Sequence, residues 1–271
     1  MNRIVLAACL AVANLWSGAV MAAEDVLKLA VTTSFHNSGL SEILLPEIAS
    51  DINLEVQLLI VGTGQALKLG RAGDVDAILV HSRTAEEAFV AEGYGTHRRE
   101  IMYNDFVIIG PSDDPADVGS QGTASTALQA LGAAKAPFVS RGDDSGNHKR
   151  ELSLWRAAGL EPGDFDNWYR AVGSGMGAAL NTASGMNAYI LSDRASWLNF
   201  RNKGDLALLF SGDPVLFNQY AYLPVHPAKH SHVQGDLAAK LETWLTSAQA
   251  TSLINAYQIN GETLFTFNAQ P

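Results

Sequence analysis

The chain has 271 residues, 47% of them hydrophobic, and a formal charge of −10 from 18 Lys and Arg against 28 Asp and Glu. That length suits two ordinary domains or one large one, and the apolar share excludes a disordered chain. The acidic balance lacks the basic stripe that a nucleic-acid binder needs, but it leaves a small-anion site open, because local donors set such a site.

Met1-Asn2-Arg3 is a short positive start, 4–16 is apolar except for Asn14, and Val20-Met21-Ala22 puts short side chains at a cleavage position. This is the pattern of a secretory signal peptide over 1–23, so the expected product is a soluble periplasmic protein. The apolar run is short of the ~20 residues of a membrane span, and no later run reaches that length. Cys9, the one cysteine, falls inside the signal segment. The exported chain must therefore hold its fold without disulfides.

From there short apolar runs alternate with amphipathic ones. The pattern predicts a strand over 26–31, a helix over 38–50 capped by Asn37 or Ser38, and a strand over 54–61. Gly62-Thr63-Gly64 opens a helix to about Arg71, followed by a strand over 76–81. A helix over 84–92 has Thr84 and Glu87 at capping-box spacing. A strand over 102–110 ends at Pro111, and the Asp, Pro, Gly and Ser of 111–122 mark a loop and a boundary. A second series follows: a helix near 125–135, a strand over 137–140, and a helix over 144–158 closed by Gly159. Helices over 175–184 and 192–200 flank a strand at 188–191. A strand over 220–225 and helices over 233–246 and 248–257 finish the chain. The fold class expected from this order is α/β, mostly parallel sheets flanked by helices, in two lobes with a cleft between them.

Ligands in such sheets collect where strands end and helices begin. The strand ends here carry Thr32, Thr33 and Ser34, then Thr63 and Gly64, then His81, then Arg141, Ser145 and Asn147. Hydroxyls, free backbone N–H groups and the positive end of the helix dipole make these helix starts suited to an anion. Arg141 adds a rigid two-pronged donor with a permanent charge. Donors without matching acceptors favour a fully deprotonated oxyanion. Each Ser or Thr alone is an ordinary cap, and Asp143 and Asp144 alone are first-turn acids; the convergence of several with Arg141 makes the case.

The segments LAVTTSFHNSGL, VGTGQALKLGRAGDVDAILVHS, AEGYGTHRREIMYNDFVIIGP, FVSRGDDSGNHKRELSLWRAAG and GSGMGAALNTAS resemble the periplasmic tungstate-binding proteins of ABC transporters. The resemblance covers nearly all of the chain after the signal segment. It implies a type II periplasmic binding protein with tungstate held between two lobes. The strand crossings would lie at 103–110 and 220–225, with lobe 1 formed by 24–108 and 218–271 and lobe 2 by 109–217. The family's Thr-Thr-Thr-Ser falls on Val31-Thr32-Thr33-Ser34, and its Arg-Gly-Asp-Asp-Ser-Gly-Thr-His on 141–148 with Asn147 in place of threonine. Thr32, Ser34 and Arg141 match its ligand contacts. The partners implied are the oxyanion and an inner-membrane permease. A monomer is expected, with no catalysis, no cofactor, no nucleic acid and no metal cation.

Molybdate, sulfate and phosphate belong to the same class of guest. Phosphate keeps a proton near neutral pH and asks for an acceptor such as Asp143 or Asp144. Gly142-Asp143-Asp144-Ser145-Gly146 is close to the Gly-Asp-Ser-Gly of secreted serine hydrolases, but it holds an extra aspartate and the αβ order disagrees with a β-barrel protease. Gly62-x-Gly64 lacks the third glycine of a dinucleotide fingerprint. His226, His230 and His232 have spacing that could suit zinc, although solvated loop histidines explain them as well.

Overall fold

The computed structural model describes residues 25–143 and 145–270. The signal peptide expected over 1–23, Cys9 and Asp144 lie outside the described residues. The first apolar run forms β1 (Asp25–Thr32), followed by α1 (Thr33–Asn37), α2 (Leu40–Ile52), β2 (Leu54–Val61), α3 (Thr63–Ala72), β3 (Ala77–Val80) and α4 (Arg83–Ala91). A long strand, β4 (Arg99–Pro111), leads through a loop to α5 (Ala124–Ala134), β5 (Phe138–Ser140), α6 (Gly146–Ala157), β6 (Tyr169–Ala171), α7 (Met176–Met186), β7 (Tyr189–Asp193), α8 (Arg194–Asn199) and β8 (Leu206–Phe210). The chain then returns in β9 (Phe217–Pro224), α9 (Gly235–Leu245) and α10 (Ala248–Ala256), and ends in three two-residue strands, β10 (Gln258–Ile259), β11 (Glu262–Thr263) and β12 (Thr266–Phe267).

The main strand order is β2-β1-β3-β9-β4-β7-β5-β6, with β8 and β12 also paired to β4. β1 runs parallel to β2 and β3, and β5 parallel to β6 and β7. β4 joins these two groups by changing partners. Arg99 to Asp105 pair antiparallel with β9, whereas Phe106 to Ile109 pair with β7 and Ile108 to Pro111 with β8. The result is the two-lobed α/β fold. The return to the first lobe comes at a tight turn, Pro214–Leu216, so Phe217 already stands opposite Asp105. Tyr220 to Pro224 thus lie beside β3 and the first half of β4, one step past the crossing expected at 220–225.

Strands covered on both faces need apolar side chains on both, and β3 is buried at all four positions. One core face holds Ala30, Ile78, Val80 and Phe89. Another, in the second lobe, packs Phe138, Trp155 and Tyr189 with Leu128. A larger cluster runs through both lobes, from Leu27 and Leu79 to Ile109 and Ile190.

Several local expectations need correction. The helix expected over 38–50 is α2, which starts two residues later at Leu40 with Gly39 at φ 82 as its cap, because Ser38 spends its hydroxyl on the Phe35 carbonyl, 2.6 Å away, and the short α1 before it has no counterpart in the sequence reading. Thr84 and Glu87 form no capping box: α4 begins one residue earlier, Glu86 accepts from the Ser82 N–H, and Glu87 pairs with Arg83. Ser192 and Asp193 belong to β7, and Asp193 caps α8 instead of lying within it. β6 and β8 have no counterpart in the sequence reading.

Candidate functional site

In the first lobe three strands deliver polar groups to one point. Thr32 ends β1 and caps α1, its Oγ1 accepting from the Phe35 N–H at 3.3 Å. The same oxygen lies 3.0 Å from Ser34 Oγ. Ser34 Oγ also meets His81 Nε2 at 3.0 Å, just past β3, and the Tyr220 hydroxyl at 3.2 Å, from β9. A serine hydroxyl has one proton and two lone pairs, so it can donate to only one of these three neighbours. Burial drives the His81 pKa down to about 4, so the imidazole is uncharged at neutral pH. Burial likewise pushes the Tyr220 phenol well above its usual range. The hub is therefore a set of neutral, rearrangeable donors.

In the second lobe β5 ends at Ser140 and the chain turns sharply through Arg141. Gly142 sits at φ 61, and a Cβ there would come within 2.7 Å of the Ala171 Cβ. Only glycine accepts both that conformation and that proximity. Arg141 pairs through Nη2 with Asp143, while its buried Nε has no partner among the described residues. Burial works against ionisation of Asp143, but hydrogen bonds from Ser145 and then Arg141 outweigh it and hold the carboxyl below its usual range. Ser145 caps α6, its Oγ accepting from the His148 N–H at 3.3 Å. The first N–H groups of that helix, on Gly146 and Asn147, have no acceptor within the helix.

The two halves face each other. A Cβ built on Gly146 would lie 3.9 Å from His81 Cε1, so the start of α6 opposes the Ser34 hub across the cleft. The structure thus brings Thr32, Ser34 and His81 together on one side and Arg141 and Ser145 on the other. Asn147 turns its amide to Asp193, with Nδ2 donating to Oδ2 at 3.1 Å. Thr33 is exposed at the first position of α1. Thr63 and Gly64 open α3, whose cap residue Gly62 makes no side-chain bond, and no hydrogen bond ties them to the hub among the described residues.

Two groups at this site have no place in the sequence reading, and a third, Asp143, has a different role there. Tyr220 is hidden in an apolar strand, and only its place beside β3 reveals it. Asp193 read as part of a helix, although a Ser-Asp-Arg at the end of an apolar run is a strand-end signal of the same kind as those that were noticed. Asp143 read as a first-turn acid; it is the partner of Arg141. The histidines considered for zinc are engaged elsewhere: His230 and His232 contact the Arg71 and Gly73 carbonyls at 2.9 Å each, and His226 Nδ1 accepts from the Ala228 N–H.

A family model described as the PBP superfamily domain matches residues 19–249. The chain belongs to that superfamily. Among its relatives is the tungstate-binding protein TupA of Peptoclostridium acidaminophilum, 42% identical over 252 residues, which are 91% of this chain and 87% of the relative. Among solved structures, the tungstate-binding protein TupA from Desulfovibrio alaskensis G20 superposes with a TM-score of 0.87 at 43% identity, over 91% of this chain and 100% of that one. The tungstate ABC transporter structure from Geobacter sulfurreducens gives 0.76 at 46% identity, over 87% of this chain and 100% of that one. These likenesses span both lobes, so they bear on the whole arrangement and not on one half of it.

Proposed function

We propose that this chain is the solute-binding component of an ABC importer, exported to the periplasm, and that it captures tungstate between its lobes and hands it to a membrane permease. It performs no chemistry on its cargo and acts as a monomer. The observation that carries the reading is the Gly146–His81 approach, which sets the start of α6 and Arg141 against the hydroxyl hub of Thr32, Ser34 and Tyr220. The names borne by relatives at 42% and 43% identity over nine-tenths of the chain supply the choice of tungstate.

A tetrahedral dianion leaving water needs a donor for most of its oxygens. Neutral hydroxyls and helix N–H groups provide these without bringing further charges. Asp143 holds Nη2 of the Arg141 guanidinium, whose permanent charge and further N–H groups serve the guest. The open lobes sample the closed form, and an ion that bonds to both sides favours closure by the difference in its affinity for the two states. Calorimetric titration of the mature protein with tungstate, molybdate, sulfate and phosphate tests this. Tungstate is expected to bind most tightly, and Arg141→Ala to weaken it about 10–100-fold, the worth of a charge-assisted bond or two. Unchanged affinity in that variant removes the arginine from the site.

A further inference from the structure

The cleft contains a carboxylate that an anion site does not obviously want. Asp193 ends β7 in the second lobe and is only 5% exposed. Its negative charge bears on both His81 and Tyr220 of the first lobe, after burial and hydrogen bonding. Its hydrogen bond from Asn147 places it beside the start of α6, the helix end that opposes His81. Left to itself it would repel a dianion, and it would offer a lone pair to any ion that carries a proton.

Each of its oxygens accepts one hydrogen bond. Oδ1 accepts from the Ser196 N–H at 2.9 Å, capping α8, and Oδ2 accepts from Asn147 Nδ2 at 3.1 Å. A threonine at position 147 could not reach as far with its shorter side chain. The amide of Asn147 is thus turned away from the helix start and towards the acid.

We infer that Asn147 is a positioning residue that ties up Asp193, and that the pair acts as a protonation filter, making the site refuse ions that carry an O–H. This rests on the oxyanion reading above and names what decides among oxyanions. A fully deprotonated dianion needs donors only, and the Asn147 amide covers Oδ2 of this carboxylate. Inorganic phosphate at neutral pH carries one or two protons, and with Oδ2 covered it loses a carboxylate acceptor for one of them, which counts against it. Without the amide, Oδ2 is free to accept from phosphate, while its exposed charge opposes tungstate. Discrimination of this kind works by penalising the wrong guest as much as by holding the right one.

The test is a double-mutant cycle read by calorimetry at neutral pH, with sodium tungstate and inorganic phosphate as the two probes. For Asn147→Ala the ratio of tungstate to phosphate affinity is expected to fall about tenfold or more, the size of one hydrogen bond to a charged group. In an Asp193→Asn background the same Asn147→Ala change is expected to leave the ratio within about twofold, because the acceptor it guards has gone. A ratio that does not move in Asn147→Ala overturns the inference. So does an equal fall in both backgrounds, which would mean that Asn147 contacts the ion itself. Thermal melts check folding, and Asn147→Ser replaces Asn147→Ala if that variant is unstable. A wild-type protein that takes neither ion refutes the oxyanion reading, and this inference with it; wild-type tungstate binding with an unmoved ratio refutes this inference alone.

Discussion

At the scale of single residues, two buried titratable groups pull the pH dependence of stability in opposite directions. Burial lowers His81 from 6.5 to about 4. Between those values the unfolded chain takes a proton that the folded one refuses, so stability is lost as pH falls from 6.5 towards 4. Glu151 is 3% exposed on α6, where it accepts from the Tyr169 hydroxyl at 2.6 Å, and burial raises it from 4.5 to about 7. There the folded chain keeps a proton that the unfolded one has released, so stability is lost as pH rises from 4.5 towards 7. The two windows overlap and the slopes offset. Glu151→Gln removes one of them, and its melting temperature is expected to fall more steeply than the wild type's as pH drops from 6.5 to 4. A parallel pair of melting curves against pH shows either that divergence or none. Neither environment is written in local sequence: His81 follows an apolar strand and Glu151 sits in a charged stretch, and only the packing of distant strands makes them buried.

At the scale of elements, the turn from β5 into α6 shapes the second lobe's half of the site. Gly142→Ala places a methyl at a positive φ and against the Ala171 Cβ. It is expected to cost about 1–3 kcal/mol in urea unfolding and to weaken the anion, because Arg141 moves with the turn. Much of this region was legible in advance. The Arg-Gly-Asp-Asp-Ser-Gly run announces a strand end and a helix entry, although α6 starts at Gly146 behind a Ser145 cap and not at 144, and the short α1 capped by Thr32 was not foreseen. β2 occupies 54–61 as its apolar run predicts. β6 and β8 were not legible, because three exposed or half-buried residues at Tyr169–Ala171 and a partly covered run at Leu206–Phe210 carry too little alternation to stand out. Their strand character comes from the neighbours they pair with, β5 and β4. The capping box at Thr84 failed for a related reason. Glu86 is fully buried and bound to Arg98, so tertiary pairing chose which acid turned back to the helix start.

At the scale of the whole molecule, the two lobes are joined where β4 changes partners, and that joint is reinforced. Arg194, the first residue of α8, grips Asp105 with two bonds of 2.6 Å each, at the last residue of β4 that pairs in the first lobe. Beside it the Asn218 amide donates to Asn104 at 2.9 Å. Arg194→Ala leaves the Asp105 charge partly buried without its partner, with an expected loss of roughly 2–4 kcal/mol measured by chemical denaturation. A loss below half of that range would mean that water takes over the role of the guanidinium. The two-lobed plan itself could be read from the repeated strand–helix order; the joint could not, because Asp105 and Arg194 are far apart in the chain.

Gly146 has no side chain where one jaw meets the other, opposite the His81 ring. A single methyl would still fit at 3.9 Å, already in contact with the ring, so the longer branched side chain of leucine would press against it. Gly146→Leu is therefore expected to act as a doorstop: a molecule with an ordinary melting temperature, held ajar in small-angle scattering whether or not tungstate is added. If the variant's scattering profile contracts with tungstate as fully as the wild type's, the jaws do not meet at that point.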